Sequence, residues 1–431
     1  MPNSASSFVE VNTGSNTLNN NSVENDVMPS GLWESHANVD RQWLSKLLQK
    51  NHAGRSSKEK QQSSALNETY PILRGKALAV APMVEQSDLP FRLLCREYGA
   101  NLCYTPMINA RYFVQNSSYR RKMFNFDNGS AGGRDRPLIA QLCANNKEIL
   151  LQAAKLLECH VDAVDLNCGC PTKVAKRGRF GAYLLESGEY LVSIVKHLAE
   201  NLSIPVTVKV RLLPHQDINK SLDLYRKLVD AGAALLTVHG RTRYNKGENT
   251  SRADWDAIRK VVKSVGDRVP VIANGSISSL DDACACLTAT GADGVMSSEA
   301  ILEYPALYLE AHTAAVKFRR TGPGRLQIAR EYLARCREFP PEEGGGGTKL
   351  QCIKRHLQVF CHEEWKDQPT LHDALFPVRR HAFEELVESH GTEWNYFCHV
   401  LDQVEAIQRS KRHRVEDERL SWYFRHRVKE S

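Results

Sequence analysis

From Lys76 to about residue 300, short apolar runs alternate with longer stretches whose apolar positions recur at helical spacing. The short runs fall near 77–82, 101–105, 137–143, 161–167, 205–211, 234–239, 269–274 and 293–297. Helical spacing fills the gaps, for instance over 88–98, 147–157, 190–202, 221–231 and 279–290. Strands separated by helices of this length predict βα units and a parallel sheet. Eight such units over roughly 230 residues match a (β/α)8 TIM barrel. An open doubly wound sheet is the main rival, but it usually has fewer strands. No Gly-x-Gly-x-x-Gly follows the first strand here either.

The pattern changes on both sides. Beyond about residue 313 the strands stop, and helical spacing is seen over 325–338, 349–365, 371–390 and 392–410. The glycine run Gly344–Gly347 separates the first two, because glycine is costly inside a helix. Residues 1 to about 37 are rich in Ser and Asn and poor in apolar residues, so they are expected to be disordered. A short amphipathic helix is predicted over 38–50, then a polar linker to about 70. The expected organisation is an extension over 1–70, an α/β TIM-barrel domain over 71–313, and a smaller helical domain over 325–431.

Composition narrows the class. A chain of 431 residues, 42% hydrophobic, can bury at least one full core. No run of about 18 apolar residues exists to span a membrane. The start, Met-Pro-Asn-Ser-Ala-Ser-Ser, lacks the basic-then-apolar order of a secretory signal. Twelve cysteines scattered among apolar segments read as reduced thiols, so a cytoplasmic or nuclear site is expected. Cys168 and Cys170 have no second Cys or His pair at zinc-binding spacing, and no metal is expected. The net charge of +7 permits an anionic partner. The end of the chain is basic with aromatics interleaved: Arg412, Arg414, Arg419, Trp422, Tyr423, Phe424, Arg425 and Arg427.

In a TIM barrel the C-terminal strand ends face the active site, which converts the strand positions into candidate site residues. They are Pro82 and Met83, Gln141, Asn167 with Cys170, Lys209 and Arg211, His239 and Arg241, Asn274-Gly275-Ser276, and Ser297-Ser298. Any one of these has a bland structural reading; a lysine at a strand end is often simply solvated. Gln, Asn, Lys, His and Asn together on matching ends are hard to reconcile with core packing. The loops after the seventh and eighth strands form the usual phosphate site of such barrels, here Asn274, Gly275, Ser276, Ser297 and Ser298.

The turn Asn167-Cys168-Gly169-Cys170-Pro171 is the most specific feature. Gly169 allows a sharp turn and Pro171 stops the strand, holding Cys170 at the mouth. A buried structural cysteine is the competing reading. Asn-x-Gly-Cys-Pro, followed by Gly181-Ala182-Tyr183-Leu184-Leu185, resembles the signature of the tRNA-dihydrouridine synthases. The resemblance runs from Ala77 to about Leu309 through Ala81-Pro82-Met83, Gln141-Leu142, Val208-Lys209-Val210-Arg211, Val238-His239-Gly240-Arg241 and Ala273-Asn274-Gly275. Val80–Arg92 and Val238–Arg241 look like the eukaryotic subfamily acting on uridines 16 and 17 of the D-loop. One departure is Ser297-Ser298, where many members carry Gly-Arg.

The resemblance implies FMN, NADPH (or NADH) as reductant, tRNA as partner, and Cys170 as general acid in reducing the uracil C5–C6 bond. It puts Pro82, Met83, Gln141, Lys209, His239, Asn274, Gly275, Ser276, Ser297 and Ser298 on the cofactor. Asn167, Arg211 and Arg241 fall to the substrate, and the helical region to tRNA binding. The rivals are a small-molecule FMN oxidoreductase resembling dihydroorotate dehydrogenase and a catalytically degenerate RNA-binding barrel. The basic aromatic C-terminus speaks against the first, and the joint presence of Cys170, Lys209 and His239 against the second.

Overall fold

The computed structural model describes residues 42–53, 67–124, 133–214, 217–245, 250–309, 324–340, 349–366 and 368–410. The expected disorder of residues 1 to about 37, the glycine run Gly344–Gly347 and the basic tail beyond Ser410 lie outside the described residues.

Among the described residues nine parallel strands form the sheet: β1 (Ala77–Val80), β2 (Leu102–Tyr104), β3 (Ile108–Asn109), β4 (Leu138–Cys143), β5 (Ala163–Cys168), β6 (Val206–Leu212), β7 (Ala233–Thr242), β8 (Val271–Asn274) and β9 (Gly294–Ser297). Pairing runs β2-β1-β9-β8-β7-β6-β5-β4, and a β2–β4 pairing closes the circle through Cys103 opposite Leu138. The two-residue β3 sits beside the end of β4, Ile108 opposite Leu142, and is too short to register in the apolar pattern. The barrel is therefore the expected eight-stranded one.

Strand periodicity divides the side chains. Along β5, Val164, Leu166 and Cys168 pack outward in the large core under the helices, while Asp165 and Asn167 alternate with them toward the barrel interior. The same split gives Val206, Val208 and Val210 to the outer core and Thr207, Lys209 and Arg211 to the other face of β6. Helices begin where a side chain can satisfy their first amides. Asn146, Asp217, Asp254 and Ser279 each accept a hydrogen bond from a backbone N–H two or three residues on.

The N-terminal end of the barrel is closed by the helix Trp43–Ala53, near the predicted 38–50. Trp43, Leu44 and Leu48 join an inner layer with Ala79, Tyr104, Ile139, Leu235, Ile272 and Met296. The Trp43 indole N–H donates to the Ala234 carbonyl at 2.8 Å, so burying the ring leaves no polar atom orphaned.

The C-terminal helices are Arg325–Glu338, Lys349–Phe360, His362–Trp365, Pro369–Leu375, Arg380–Ser389 and Glu393–Ser410. Two stretches expected as single helices are broken, one at Cys361 and one at Phe376–Arg379. Pro377 accounts for the second break, since a proline disfavours helical geometry in the residue before it. These helices share one continuous core with the barrel. His356 stacks on Phe91 of the barrel helix Leu89–Glu97 with ring centres 4.8 Å apart, and Arg335 Nε meets Glu97 at 2.7 Å. Among the described residues, no helix is long and apolar enough to cross a membrane.

Candidate active site

At the C-terminal ends of the strands opens a cleft of about 750 Å³. It brings together Pro82, Gln141, Asn167, Cys170, Lys209, Arg211, His239, Arg241, Asn274, Gly275, Ser276, Ser297 and Ser298 from seven different segments of sequence. Met83 is the exception among the expected residues. Its side chain packs on the barrel core while its N–H donates to Ser87 Oγ at 2.9 Å, and Val84 lines the cleft in its stead.

One wall is a chain of amides and a carboxyl. Asn167 Nδ2 donates to Gln141 Oε1 at 2.7 Å, and Gln141 Nε2 donates to Asp165 Oδ2 at 2.8 Å. Thr207 Oγ1 donates to the other carboxyl oxygen at 2.6 Å. Asn167 Oδ1 in turn accepts the N–H groups of Gly169 and Cys170, at 3.2 and 3.0 Å. Asn167, expected on the substrate, therefore shapes the turn that presents the thiol. Cys170 is half-buried at the rim, its Sγ 3.3 Å from Thr172 Oγ1, whereas Cys168 is fully buried on the opposite face of the strand. Burial pushes the Cys168 thiol up, well away from any acid–base use at neutral pH.

Asp165 is absent from the sequence expectation, although its place two residues before Asn167 in a strand puts both on one face. Burial pushes its carboxyl up to about 6, with the Thr207 and Gln141 hydrogen bonds and Lys209 pulling the other way. A folded-state value above the unfolded one means that the native protein holds this proton more tightly. That contribution to stability is complete below about pH 4 and is lost as pH rises through about 6. Asp165→Asn should remove this part of the stability profile, on the order of 2 kcal/mol between pH 4 and 7. Urea unfolding across that range would test it; a variant with the wild-type slope would mean that Asp165 is ionised throughout.

Across the floor, Lys209 Nζ donates to Asn274 Oδ1 at 2.8 Å, and Asn274 Nδ2 donates to the Met296 carbonyl at 2.9 Å. Burial and the neighbouring Arg211 cation lower the Lys209 ammonium to about 8, against the opposite pull of Asp165 and Cys170. Arg211 is a brace: Nε donates to the Gly169 carbonyl at 2.8 Å and Nη1 to the Thr242 carbonyl at 3.0 Å, tying the thiol turn to the end of β7.

The far end is built around Gly275. Its φ of +108 is a glycine conformation, and a Cβ there would sit 2.8 Å from Ala253 Cβ and 2.9 Å from His239 Cδ2. Arg241, expected on the substrate, leans to this end, with Nη2 3.2 Å from Ser276 Oγ and Nη1 3.1 Å from His239 Nε2. Ser297 is buried and donates to the Ile277 carbonyl at 2.9 Å, which leaves Ser298 as the more open of the two serines. Arg252 and Ser278 also line this end; lying in loops between elements, they carry no periodic signal.

A closed parallel barrel with a polar cleft at the carboxyl ends of its strands is a TIM barrel by architecture and by site position. The sequence matches the dihydrouridine synthase family over residues 79–418. The chain belongs to that family. It is 41% identical over 71% of its length to a rat protein named tRNA-dihydrouridine(16/17) synthase [NAD(P)(+)]-like, and covers 65% of that protein. A Schizosaccharomyces pombe tRNA-dihydrouridine(16/17) synthase [NAD(P)(+)] is 41% identical over 64% of this chain and 67% of its own. For the Saccharomyces cerevisiae protein of that name the identity is 40%, over 63% of this chain and 65% of its own. The chain thus spans roughly two thirds of each of these relatives.

Proposed function

We propose that this protein reduces the C5–C6 double bond of uridine in the D-loop of tRNA, at positions 16 and 17, with bound FMN and with NADPH (or NADH) as reductant. The observation that carries the reading is the convergence of an Asn167-held thiol and a Lys209–Asn274–His239 floor on one cleft. The names of the related proteins support the substrate and the nicotinamide.

The cleft suits a flavin on chemical grounds. Gly275 lets its turn pack closely on Ala253 and His239, and the adjoining Ser276 and Ser298, with Arg241 close by, form a small-residue, cationic end suited to a phosphate. Arg241 supplies the charge that many family members place after the last strand, where this chain has Ser297-Ser298. Lys209 and His239 offer donors to an electron-rich pyrimidine edge, and Gln141 an amide. When bound, the flavin supplies hydride to C6 of the uracil.

The chain's own part is then the proton at C5. Cys170 carries it on Sγ at the rim of the cleft, and the Asn167 turn with the Arg211 brace holds that sulfur in place. The target uridine must leave its stack to enter the cleft, which suits the unpaired bases of a loop. A tRNA substrate fits work in the cytoplasm, the nucleus or both.

Lys209→Ala and His239→Ala should each lower flavin retention, read as flavin absorbance surviving gel filtration. Full occupancy in the double variant would overturn the assignment of the cofactor to this floor. Mapping dihydrouridine in tRNA from cells lacking the protein tests the reaction itself; unchanged content at positions 16 and 17 would refute it.

A further inference from the structure

Immediately after Cys170 the chain makes a compact excursion and returns to the same residue. Thr172 caps the short helix Lys173–Gly178, accepting from the Ala175 N–H at 3.2 Å. Ala175 and Phe180 are buried against Cys143, and Ala182 N–H then donates to the Cys170 carbonyl at 3.0 Å. Both ends of the excursion are thus fixed on the residue that carries the proton.

What the excursion presents is positive charge. Lys173, Lys176, Arg177 and Arg179 are all exposed, beside an exposed Val174. From Pro171 to Leu185 there is no Asp or Glu. Among the described residues, none of these four side chains has an ion-pair or hydrogen-bond partner. Elsewhere on the barrel exposed cations are commonly matched, as in Lys227 with Glu189, Arg226 with Asp223 and Arg268 with Asp230. Four unmatched cations on one short lobe repel each other, which favours an anionic partner.

The backbone adds a second pointer. Arg179 ends the helix in the left-handed region, at φ 50 and ψ 39. Glycine is the usual residue for that cap, yet here Gly178 lies one position earlier and an arginine takes the strained place. Strain kept at an exposed arginine makes sense if the guanidinium is needed where that conformation puts it.

We propose that the lobe Lys173–Arg179 is an RNA-phosphate clamp that grips the backbone flanking the target uridine and registers the base against Cys170. The inference rests on the proposed function and deepens it. It assigns tRNA binding to the barrel rim as well as to the C-terminal region, and couples the grip to the thiol through a rigid segment.

The test uses the full-length flavoprotein and an unmodified tRNA transcript. Lys173→Ala/Lys176→Ala/Arg177→Ala should weaken tRNA binding about tenfold or more at moderate salt. The slope of log affinity against log salt should become shallower by about three, roughly one for each phosphate no longer neutralised. The KM for tRNA should rise and kcat at saturating tRNA should fall as the base loses its register against Cys170, while NADPH-driven flavin reduction stays near wild type. Lys173→Arg/Lys176→Arg should retain affinity, and Arg179→Gly should weaken binding without lowering thermal stability. Unchanged affinity and salt slope in the triple variant, with a wild type that binds tRNA, would overturn the clamp alone. A wild type without affinity for tRNA would overturn the clamp and the proposed function together. A loss confined to poly-glutamate binding, with tRNA affinity intact, would assign the lobe to an acidic protein and overturn the clamp.

Discussion

Cys170→Ala is expected to lower dihydrouridine formation by about 10²–10⁴-fold, the usual contribution of a general acid, while leaving flavin binding and its reduction by NADPH intact. The geometry separates the two activities. Cys170 sits on a turn at the rim, held by Asn167 Oδ1, whereas the floor of the cleft is built by Lys209, Asn274 and Gly275 from other strands. Removing one half-buried sulfur leaves the turn's amides on Asn167 and the Arg211 brace in place, so the variant should fold normally. Asn167→Ala should act in the same direction through position, because the N–H groups of Gly169 and Cys170 would lose their acceptor. Single-turnover reduction of uridine at the wild-type rate by Cys170→Ala would show that the proton comes from elsewhere. Cys168→Ala is the control: it faces the helices, and its effect should be a modest loss of stability from a small cavity.

How much of this is legible in the sequence depends on the kind of signal. The eight barrel strands are readable because each is a short run rich in apolar residues set between helical patterns, and the rule that sites occupy the C-terminal strand ends then finds Gln141, Lys209, His239 and Asn274 without further information. Asp165 and Thr207 escape because they lie deeper in strands, where a polar residue among Val and Leu looks like ordinary alternation; only the closed barrel shows that they complete the Gln141–Asn167 chain. The resemblance assigns Arg211 and Arg241 to the substrate, and both line the cleft. Their guanidinium groups also meet the Gly169 and Thr242 carbonyls and Ser276, pairings between segments 31 to 42 residues apart that no local pattern encodes. Met83 is expected on the cofactor because it follows Pro82, but the loop turns its side chain to the core and exposes Val84. The helix breaks at Cys361 and Pro377 divide what spacing alone joins.

Deleting residues 325–431 is expected to damage the barrel itself, beyond any loss of tRNA binding. The helix Arg325–Glu338 buries Ile328, Tyr332, Leu333 and Cys336 in the core that also holds Phe91, Leu94 and Tyr98 of the barrel. Arg325 donates to the Glu303 carbonyl at 3.0 Å, and Arg355 pairs with Glu85 at 2.8 Å in the loop that carries Val84 to the cleft. At about 1.5–3 kcal/mol for each large apolar side chain, exposing the surface under even four of them costs roughly 6–12 kcal/mol. That is comparable to the whole stability of a typical domain, about 5–15 kcal/mol. A chain ending at residue 324 should therefore aggregate, or melt more than about 10 °C below the full protein, the scale of shift such a loss implies. A chain ending at residue 410 keeps every described helix and should melt with the full protein. Its loss should appear in tRNA affinity and in a shallower salt dependence, because it lacks Arg412, Arg414, Arg419, Arg425 and Arg427 together with the aromatic run Trp422-Tyr423-Phe424. Thermal melts and gel filtration of the three chains separate these effects. A chain ending at 324 that is monodisperse, melts with the full protein and keeps its flavin would show that the helical region is an independent appendage and that the shared core contributes little to the barrel.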